Sequence, residues 1–269
     1  MRGSAVRGAL LLLLLFAGAA RAQSPEPAPA VIDKSVLADL VAANRILADQ
    51  QVLDAYGHVS IRSPTNPQHF LMGRNLAPAM VTADDIVEYD LDGNPIRPTP
   101  GFTHFLERYI HAEIYRARPD VNAVVHTHSA AVIPFADSQV KLRPMYHIAA
   151  FLYPEVPVFD IRTTAGRATN MLIGNSRLGK ALASKLGTNS VALMRGHGDV
   201  IVAPTLPLLV FRAVYTDVNA RMQIQAASLG GPIHFLDPDE AAEAVKVIDQ
   251  IHTRAWELWK HKLGERPER

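Results

Sequence analysis

The apolar residues of this chain change several times between a helical spacing and the short continuous or alternating runs that are typical of strands. The helical spacing predicts helices over residues 33–54, 103–118, 176–186, 206–229 and 238–262. The runs predict strands over residues 57–62, 70–72, 86–96, 123–126, 156–161, 191–194 and 200–202, with a hairpin turn at residues 92–94. Because strands and helices mix without regular alternation, the pattern predicts an α/β protein. Its expected form is a three-layer αβα sandwich with a mostly antiparallel or mixed central sheet.

The chain contains no cysteine, so its stability must come from a hydrophobic core and not from disulfide bonds. Apolar residues make up 48% of the 269 residues, which is enough for such a core. Residues 33–269 have the length of one large domain, whose last two predicted helices form its C-terminal part.

The first 22 residues have the pattern of a secretory signal peptide. Two arginines precede an apolar run over residues 9–20, and Ala20-Arg21-Ala22 has the small-x-small pattern of a cleavage site. The proline-rich residues 23–32 read as an extended linker. The apolar run is shorter than the roughly 20 residues of a transmembrane helix. The sequence therefore predicts a secreted or periplasmic protein with no membrane contact beyond its signal peptide.

The charge of the chain argues against a nucleic-acid partner. Removal of Arg2, Arg7 and Arg21 with the signal peptide leaves 24 basic residues against 26 acidic ones. Binding to nucleic acid needs a basic surface, and the sequence has no zinc-finger spacing or phosphate-binding glycine loop. The sequence therefore predicts no nucleic-acid partner.

Two histidines stand at the end of an apolar predicted strand. His126 and His128 are two residues apart, so in a strand both imidazoles point to the same side, as metal ligands do. A third ligand would leave one position open for water or substrate. His197 is the candidate, because the glycines on both sides of it let another group approach closely. Since a His-x-His pair also arises by chance among 11 histidines, the spacing alone leaves a structural role open.

A carboxylate near a bound cation would complete a site for proton transfer. Glu107 is the candidate, although a glutamate on a helix is often an ordinary surface residue. His111 follows Glu107 by four residues, so a helix over residues 103–118 would place both side chains on one face. Either side chain is then a candidate for the same site.

These motifs together resemble the class II aldolase and adducin head-domain family over about residues 33–231. The resemblance rests on Gly57-His58-Val59-Ser60-Ile61-Arg62, on residues 81–87, on Glu107, on Ala123-Val124-Val125-His126-Thr127-His128 and on His197-Gly198. In that family, histidines at the positions of His126, His128 and His197 bind zinc, manganese or another divalent cation. A glutamate 19 residues before the first histidine is the acid and base, as Glu107 stands before His126. The resemblance also implies an αβα sandwich and a homotetramer with active sites between neighbouring subunits.

The chain departs from the sugar-phosphate aldolases of this family where those enzymes bind phosphate. They have an asparagine at the position of His58, a Thr-Gly pair at Arg74 and Asn75, and two serines at Phe105 and Leu106. The guanidinium group of Arg74, beside His58 and an apolar wall, suits a carboxylate on a flat or aromatic substrate. In this respect the chain is similar to the branch that contains 3-hydroxy-2-methylpyridine-4,5-dicarboxylate decarboxylase.

The resemblance implies a divalent-metal-dependent carbon–carbon lyase, with decarboxylation of a carboxylated, non-phosphorylated substrate ahead of aldol cleavage. Glu107 would move the proton, and His58, Arg74 and Asn75 would bind the substrate, with Arg162 as a further candidate for a carboxylate. Zinc or manganese is the expected metal, and iron is an alternative because imidazole suits all three. Iron in this site would suit a non-haem oxygenase. Adducin head domains imply a third alternative, a binding module without catalysis.

Overall fold

A computed structural model describes residues 32–264, so the predicted signal peptide and nearly all of the predicted linker lie outside the described residues. The helices are α1 (Lys34–Asp49), α2 (Arg108–Ala117), α3 (Ile133–Ala136), α4 (Arg162–Ala165), α5 (Ser176–Leu186), α6 (Leu206–Ser228), α7 (Pro238–Ile251) and α8 (Thr253–Lys262). The strands are β1 (His58–Arg62), β2 (His69–Gly73), β3 (Ile86–Asp90), β4 (Ala123–Thr127), β5 (Val158–Phe159), β6 (Val191–Met194) and β7 (Gly198–Ala203). None of the helices in the described range has the length and apolarity needed to cross a bilayer.

Within residues 32–264, one seven-stranded sheet forms the middle layer, in the order β3-β2-β1-β4-β7-β6-β5. Neighbouring strands are antiparallel except for β5 and β6, which pair in parallel. The central strand β4 is paired on both sides, so His126 lies opposite His58 of β1 and Val200 of β7. The prediction of a mostly antiparallel or mixed sheet is confirmed.

Residues of the strands alternate between two hydrophobic cores, one on each face of the sheet. Val125 and Ile201 pack in the core that contains α1, α6 and α8, whereas Val124 and Val200 pack in the core that contains α2 and α5. Successive strand residues point to opposite faces, so a strand that is apolar at every position needs helices on both sides. The predicted αβα sandwich is therefore confirmed.

Several predicted elements are shorter than expected. Helix α1 ends at Asp49 and not at residue 54, since Gln51 has a φ of 59° and lies outside the helical region. The chain turns at residues 92–94 as predicted, but the returning segment forms only an isolated bridge at Pro95, which has no N–H for a strand ladder. Strand β5 has two residues where six were predicted. The predicted C-terminal helix is divided into α7 and α8 at His252.

The helix predicted over residues 103–118 begins only at Arg108, so the prediction of its first turn was wrong. The preceding residues are held by other partners. The carbonyl of Thr103 accepts a hydrogen bond from the N–H of Asn75, and the ring of His104 lies 2.7 Å from the hydroxyl of Tyr89. Glu107 consequently stands directly before the first residue of α2 and not inside the helix, and its side chain does not cap the helix.

Candidate metal centre

Three imidazole rings meet at the end of strand β4 and in the turn that joins β6 to β7. His126 lies in β4, His128 follows its last residue, and His197 lies in the turn between β6 and β7. Nε2 of His128 is 3.0 Å from Nε2 of His126 and 3.1 Å from Nε2 of His197. With Glu107, these residues offer ligand atoms that all lie within 4.8 Å of one another. The structure thus brings together the three histidines that the sequence singled out as metal ligands and the glutamate that it singled out as the catalytic carboxylate.

Backbone carbonyl groups fix the orientation of two of the three rings. Nδ1 of His126 lies 2.8 Å from the carbonyl oxygen of Asp199, and Nδ1 of His197 lies 3.1 Å from that of Met171. Because a carbonyl oxygen only accepts, each Nδ1 carries the proton and each Nε2 presents a lone pair. Metal-binding histidines are oriented in the same way by a partner of the nitrogen that does not bind metal.

The three Nε2 atoms fit a divalent cation. His126 and His197 both present Nε2 lone pairs, and Nε2 of His128 can donate a proton to only one of them. One lone pair is therefore left without a hydrogen bond, whereas a bound cation would accept the lone pairs of all three rings. Zinc–nitrogen bonds of about 2.0–2.1 Å would place two ligands of a tetrahedral site about 3.3 Å apart, close to the spacing observed. Three histidine ligands also leave a position for substrate or water.

Burial keeps the candidate ligands in the form that binds metals. Removal from water lowers the pKa of His126 to about 3 and also lowers the pKa of His128. Both rings are therefore neutral near pH 7, and a neutral imidazole is the form that coordinates a cation.

Glu107 supplies a carboxylate beside the three rings. Its Oε1 accepts a hydrogen bond of 2.8 Å from the N–H of Ile173, and its Oε2 lies 3.5 Å from Nε2 of His197 and 3.7 Å from that of His126. Burial raises the pKa of Glu107, but the rings of His197 and His126 and the N–H of Ile173 outweigh it and lower the pKa to about 2. An ionised oxygen therefore faces the candidate ligands.

His58 and His111 lie beside this cluster and hydrogen bond to each other. The ring of His58 is centred 5.2 Å from the ring of His126 and 4.5 Å from that of Phe105. Its Nδ1 lies 2.6 Å from Nε2 of His111, whose Nδ1 lies 2.6 Å from Oγ of Ser60. Both nitrogens of His111 are thus occupied by partners outside the cluster, although it stands four residues after Glu107.

Arg74 and Asn75 have other partners. Nε of Arg74 lies 2.6 Å from Oδ1 of Asp85, and its guanidinium group stacks on the ring of Phe102. Asn75 is exposed and its backbone N–H bonds to Thr103. In the described part of the chain, no hydrogen bond or ion pair joins either side chain to the histidine cluster. Their role in binding substrate stays a prediction.

Arg162 forms an ion pair with Asp160, which also pairs with Arg195. The guanidinium group of Arg162 donates three hydrogen bonds to that carboxylate. A substrate carboxylate at Arg162 would have to replace this internal partner.

Sequence reasoning did not identify three polar residues that support the site. The carboxyl group of Asp199 accepts a hydrogen bond from the hydroxyl of Thr127, and burial raises its pKa to about 7. Ser60 and Tyr115 continue the hydrogen bonds of His111. For Ser60 and Tyr115 the spacing could have predicted a shared face with the histidines. Ser60 is two residues after His58 on a strand, and Tyr115 is four residues after His111 on a helix.

The chain is similar to known proteins of one family. The model of the class II aldolase and adducin N-terminal domain matches residues 38–224. The chain is 37% identical over 240 residues to decarboxylase tropJ of Talaromyces stipitatus, covering 81% of this chain and 90% of that protein. It is 31% identical over 235 residues to the 3,4-dihydroxyphthalate decarboxylase of Arthrobacter keyseri, covering 82% of this chain and 90% of that enzyme.

A solved structure shows the same fold. The crystal structure of an aldolase II superfamily protein from Pseudomonas syringae superposes with a TM-score of 0.71 at 24% identity, over 85% of this chain and 92% of that one. The family model and the two decarboxylases each match well over half of the chain. This protein therefore belongs to the class II aldolase and adducin N-terminal domain family.

Proposed function

We propose that this protein is a divalent-metal-dependent carbon–carbon lyase that decarboxylates a hydroxylated aromatic carboxylate. The observation that carries the proposal is the convergence of three imidazole Nε2 atoms on one point, with the ionised Oε2 of Glu107 beside them. The two decarboxylase relatives support loss of carbon dioxide over aldol cleavage. The dihydroxyphthalate substrate named for one of them supports an aromatic acid with neighbouring hydroxyl groups.

In this proposal His126, His128 and His197 hold the metal. When bound, a divalent cation would supply a Lewis acid that draws electrons from the substrate oxygens. Zinc or manganese is the proposed metal, with iron as the alternative, because neutral imidazole suits each of them. The backbone carbonyls behind His126 and His197 keep their Nε2 lone pairs directed at the point where the three rings meet, where these nitrogens would hold the cation.

Glu107 moves the proton in the proposed reaction. As a carboxylate it accepts the proton of a substrate hydroxyl through Oε2, while the N–H of Ile173 holds Oε1 in place. The bond between the ring carbon and the carboxyl carbon breaks, and its electron pair stays on the ring carbon. Glu107 returns the proton to that carbon, so carbon dioxide leaves and hydrogen takes its place. The hydroxyl group regains a proton from water.

Metal analysis combined with a carbon dioxide assay tests this proposal. We expect about one divalent cation per chain in the native protein and its loss in the double variant His126→Ala/His128→Ala. The exposed pair His147 and His234 provides a matched control, since His147→Ala/His234→Ala removes two histidines and leaves the metal in place. A native protein that takes up no metal would refute the proposal.

Substrate tests then separate the reaction classes. Hydroxylated phthalates should release carbon dioxide without consumption of oxygen. Consumption of oxygen by the iron-loaded protein would favour an oxygenase. Release of an aldehyde from a non-phosphorylated hydroxy acid would favour an aldolase. A protein that binds metal but turns over none of these compounds would support the adducin-like binding module.

We also propose that the protein is exported and that it assembles as a homotetramer. Export is supported by the arginines, apolar run and small-x-small pattern of residues 1–22. Mass spectrometry of the exported protein should find an N-terminus at Gln23, and an intact Met1 would contradict cleavage. The tetramer is supported by the family resemblance alone, and light scattering of the purified protein measures it directly.

A further inference from the structure

A buried chain of hydrogen bonds reaches His58 from helix α2. The hydroxyl of Tyr115 lies 2.8 Å from Oγ of Ser60, and Oγ of Ser60 lies 2.6 Å from Nδ1 of His111. Nε2 of His111 then lies 2.6 Å from Nδ1 of His58. Ser60 and His111 are fully buried, and Tyr115 and His58 are nearly so. We call these four residues the relay.

The hydroxyl of Tyr115, at the buried end of the relay, determines which atom donates the proton in each hydrogen bond. Within the described residues, Ser60 is the only side-chain partner of the Tyr115 hydroxyl, and no backbone carbonyl accepts a hydrogen bond from it. A buried hydroxyl proton without an acceptor is strongly disfavoured, so Tyr115 donates to Ser60. Ser60 has one proton and must then donate it to Nδ1 of His111. His111 carries its own proton on Nε2 and donates it to Nδ1 of His58.

The proton of His58 is therefore on Nε2. The two nitrogens of an imidazole point in different directions, so Nε2 points away from His111 when Nδ1 bonds to it. His58 lies opposite His126 in the pairing of β1 with β4, and their rings are neighbours on the same face of the sheet. In the described part of the chain, Nε2 of His58 has no hydrogen-bond partner. An N–H donor is thus left for a group that enters beside the metal centre.

We propose that Tyr115, Ser60 and His111 are positioning residues that fix His58 as an N–H donor to an anionic oxygen of the substrate. The identity of that oxygen rests on the proposed function, because a carboxylated substrate brings it next to the metal ligands. The direction of the relay does not depend on any reaction, since it follows from four buried side chains and their hydrogen bonds. A neutral histidine without this relay would exchange its proton between both nitrogens.

Nitrogen NMR of histidine tautomers tests the direction. The zinc-loaded protein is labelled with nitrogen-15 histidine, and the His58 signals are assigned by their loss in His58→Gln. We expect a protonated Nε2 and a bare Nδ1 in the native protein. Ser60→Ala should yield a mixture of tautomers, because the proton of Tyr115 no longer sets the relay. Ser63→Ala is the matched control, since Ser63 is a buried serine just past β1 that bonds to Glu88 and Thr65 instead.

Three results would overturn the inference. The first is a native His58 with its proton on Nδ1, and the second is a mixture of tautomers in the native protein. The third is a Ser60→Ala spectrum identical to the native one. A purely structural role of Ser60 would lower stability without changing the tautomer of His58, so the spectrum distinguishes the two roles.

Phthalate tests the substrate side of the inference. Its addition to the zinc-loaded protein should shift the Nε2 signal of His58, and in His58→Phe the affinity for phthalate should fall about ten- to hundredfold, the range for a hydrogen bond to a charged oxygen. A His58 signal that does not respond to phthalate would remove the assignment to an anionic oxygen. These spectra require no turnover, so a failure of carbon dioxide release would leave them interpretable. A His58 protonated on Nδ1 would likewise refute the relay without changing the result of the metal analysis.

Discussion

The carbonyl oxygen of Asp199 lies 2.8 Å from Nδ1 of His126, which joins strand β7 directly to a candidate metal ligand on β4. The two strands also pair through their backbones at this point, with Thr127 opposite Asp199. The side chains of the same two residues hydrogen bond on the other face of the sheet. The orientation of His126 therefore depends on close pairing of β4 with β7, and any change that separates the strands should weaken metal binding.

Gly198→Ala should separate these strands. A Cβ atom at residue 198 would lie 1.9 Å from the carbonyl oxygen of Thr127, which is backbone and cannot rotate away. We expect a loss of about 2–4 kcal/mol in the free energy of unfolding of the metal-free protein, measured with urea, and weaker zinc binding. Gly73→Ala is the control, because its Cβ would lie 3.4 Å from the side chain of Val81, an ordinary contact. Equal stability of the two variants would contradict the argument.

Glu107→Gln should abolish turnover and leave the metal bound. The amide has the size of the carboxylate and can still accept from the N–H of Ile173, but it cannot take the substrate proton. We expect kcat to fall by about 10²–10⁴, the usual contribution of a positioned acid or base. Glu113→Gln is the matched control, since Glu113 is a buried glutamate of α2 that bonds to Ser176. Retained activity in Glu107→Gln would remove Glu107 from the mechanism.

The periodic parts of the fold could be predicted from the sequence, because apolar spacing alone determines them. Helix α5 and strand β6 have the predicted bounds, since each has continuous apolar residues on the buried side. The start of α2 was predicted five residues early, because residues 103–107 have a helical pattern but bond to distant partners such as Asn75 and Tyr89. Tertiary contacts of this kind have no local signal.

The candidate site also has residues that could be predicted from the sequence and residues that could not. Strand spacing paired His126 with His128, and the glycines beside His197 made it the candidate for a third ligand. Glu107 was a candidate only as a carboxylate near a cation, and the family resemblance assigned it the role of acid and base. His197 lies 69 residues from His128 and Glu107 lies 19 residues from His126, so no local pattern places them together. The carbonyl groups of Asp199 and Met171 that orient two of the rings could not be predicted, because every residue carries such a group. The ion pair of Arg74 with Asp85 was not predicted either, because no sequence pattern assigns a partner to a lone arginine.

Asp85→Ala should destabilise the segment that holds Arg74. The carboxylate of Asp85 accepts from Nε of Arg74 and from both the N–H and the hydroxyl of Thr82. Its removal leaves the partly buried guanidinium group without this partner, so we expect a loss of about 1–3 kcal/mol in the free energy of unfolding. The neighbouring Asp84 is exposed, so Asp84→Ala should change stability by less than about 0.5 kcal/mol. Urea unfolding of both variants would show whether the difference exists.

Tyr56 is an exposed aromatic residue beside the candidate centre, with its ring centred 6.1 Å from the ring of His128 and 66% of its surface accessible. An exposed ring at this distance can stack on an aromatic substrate that binds beside the metal ligands. Because stacking contributes about 0.5–1.5 kcal/mol, Tyr56→Ala should raise KM for an aromatic acid about two- to tenfold and leave kcat and metal content unchanged. Met80→Ala removes a side chain of similar exposure from a short helical turn and should leave KM unchanged. Equal KM values for native protein and Tyr56→Ala would show that substrate binds away from this ring, and the aromatic preference would then depend on Phe105 and its contact with His58.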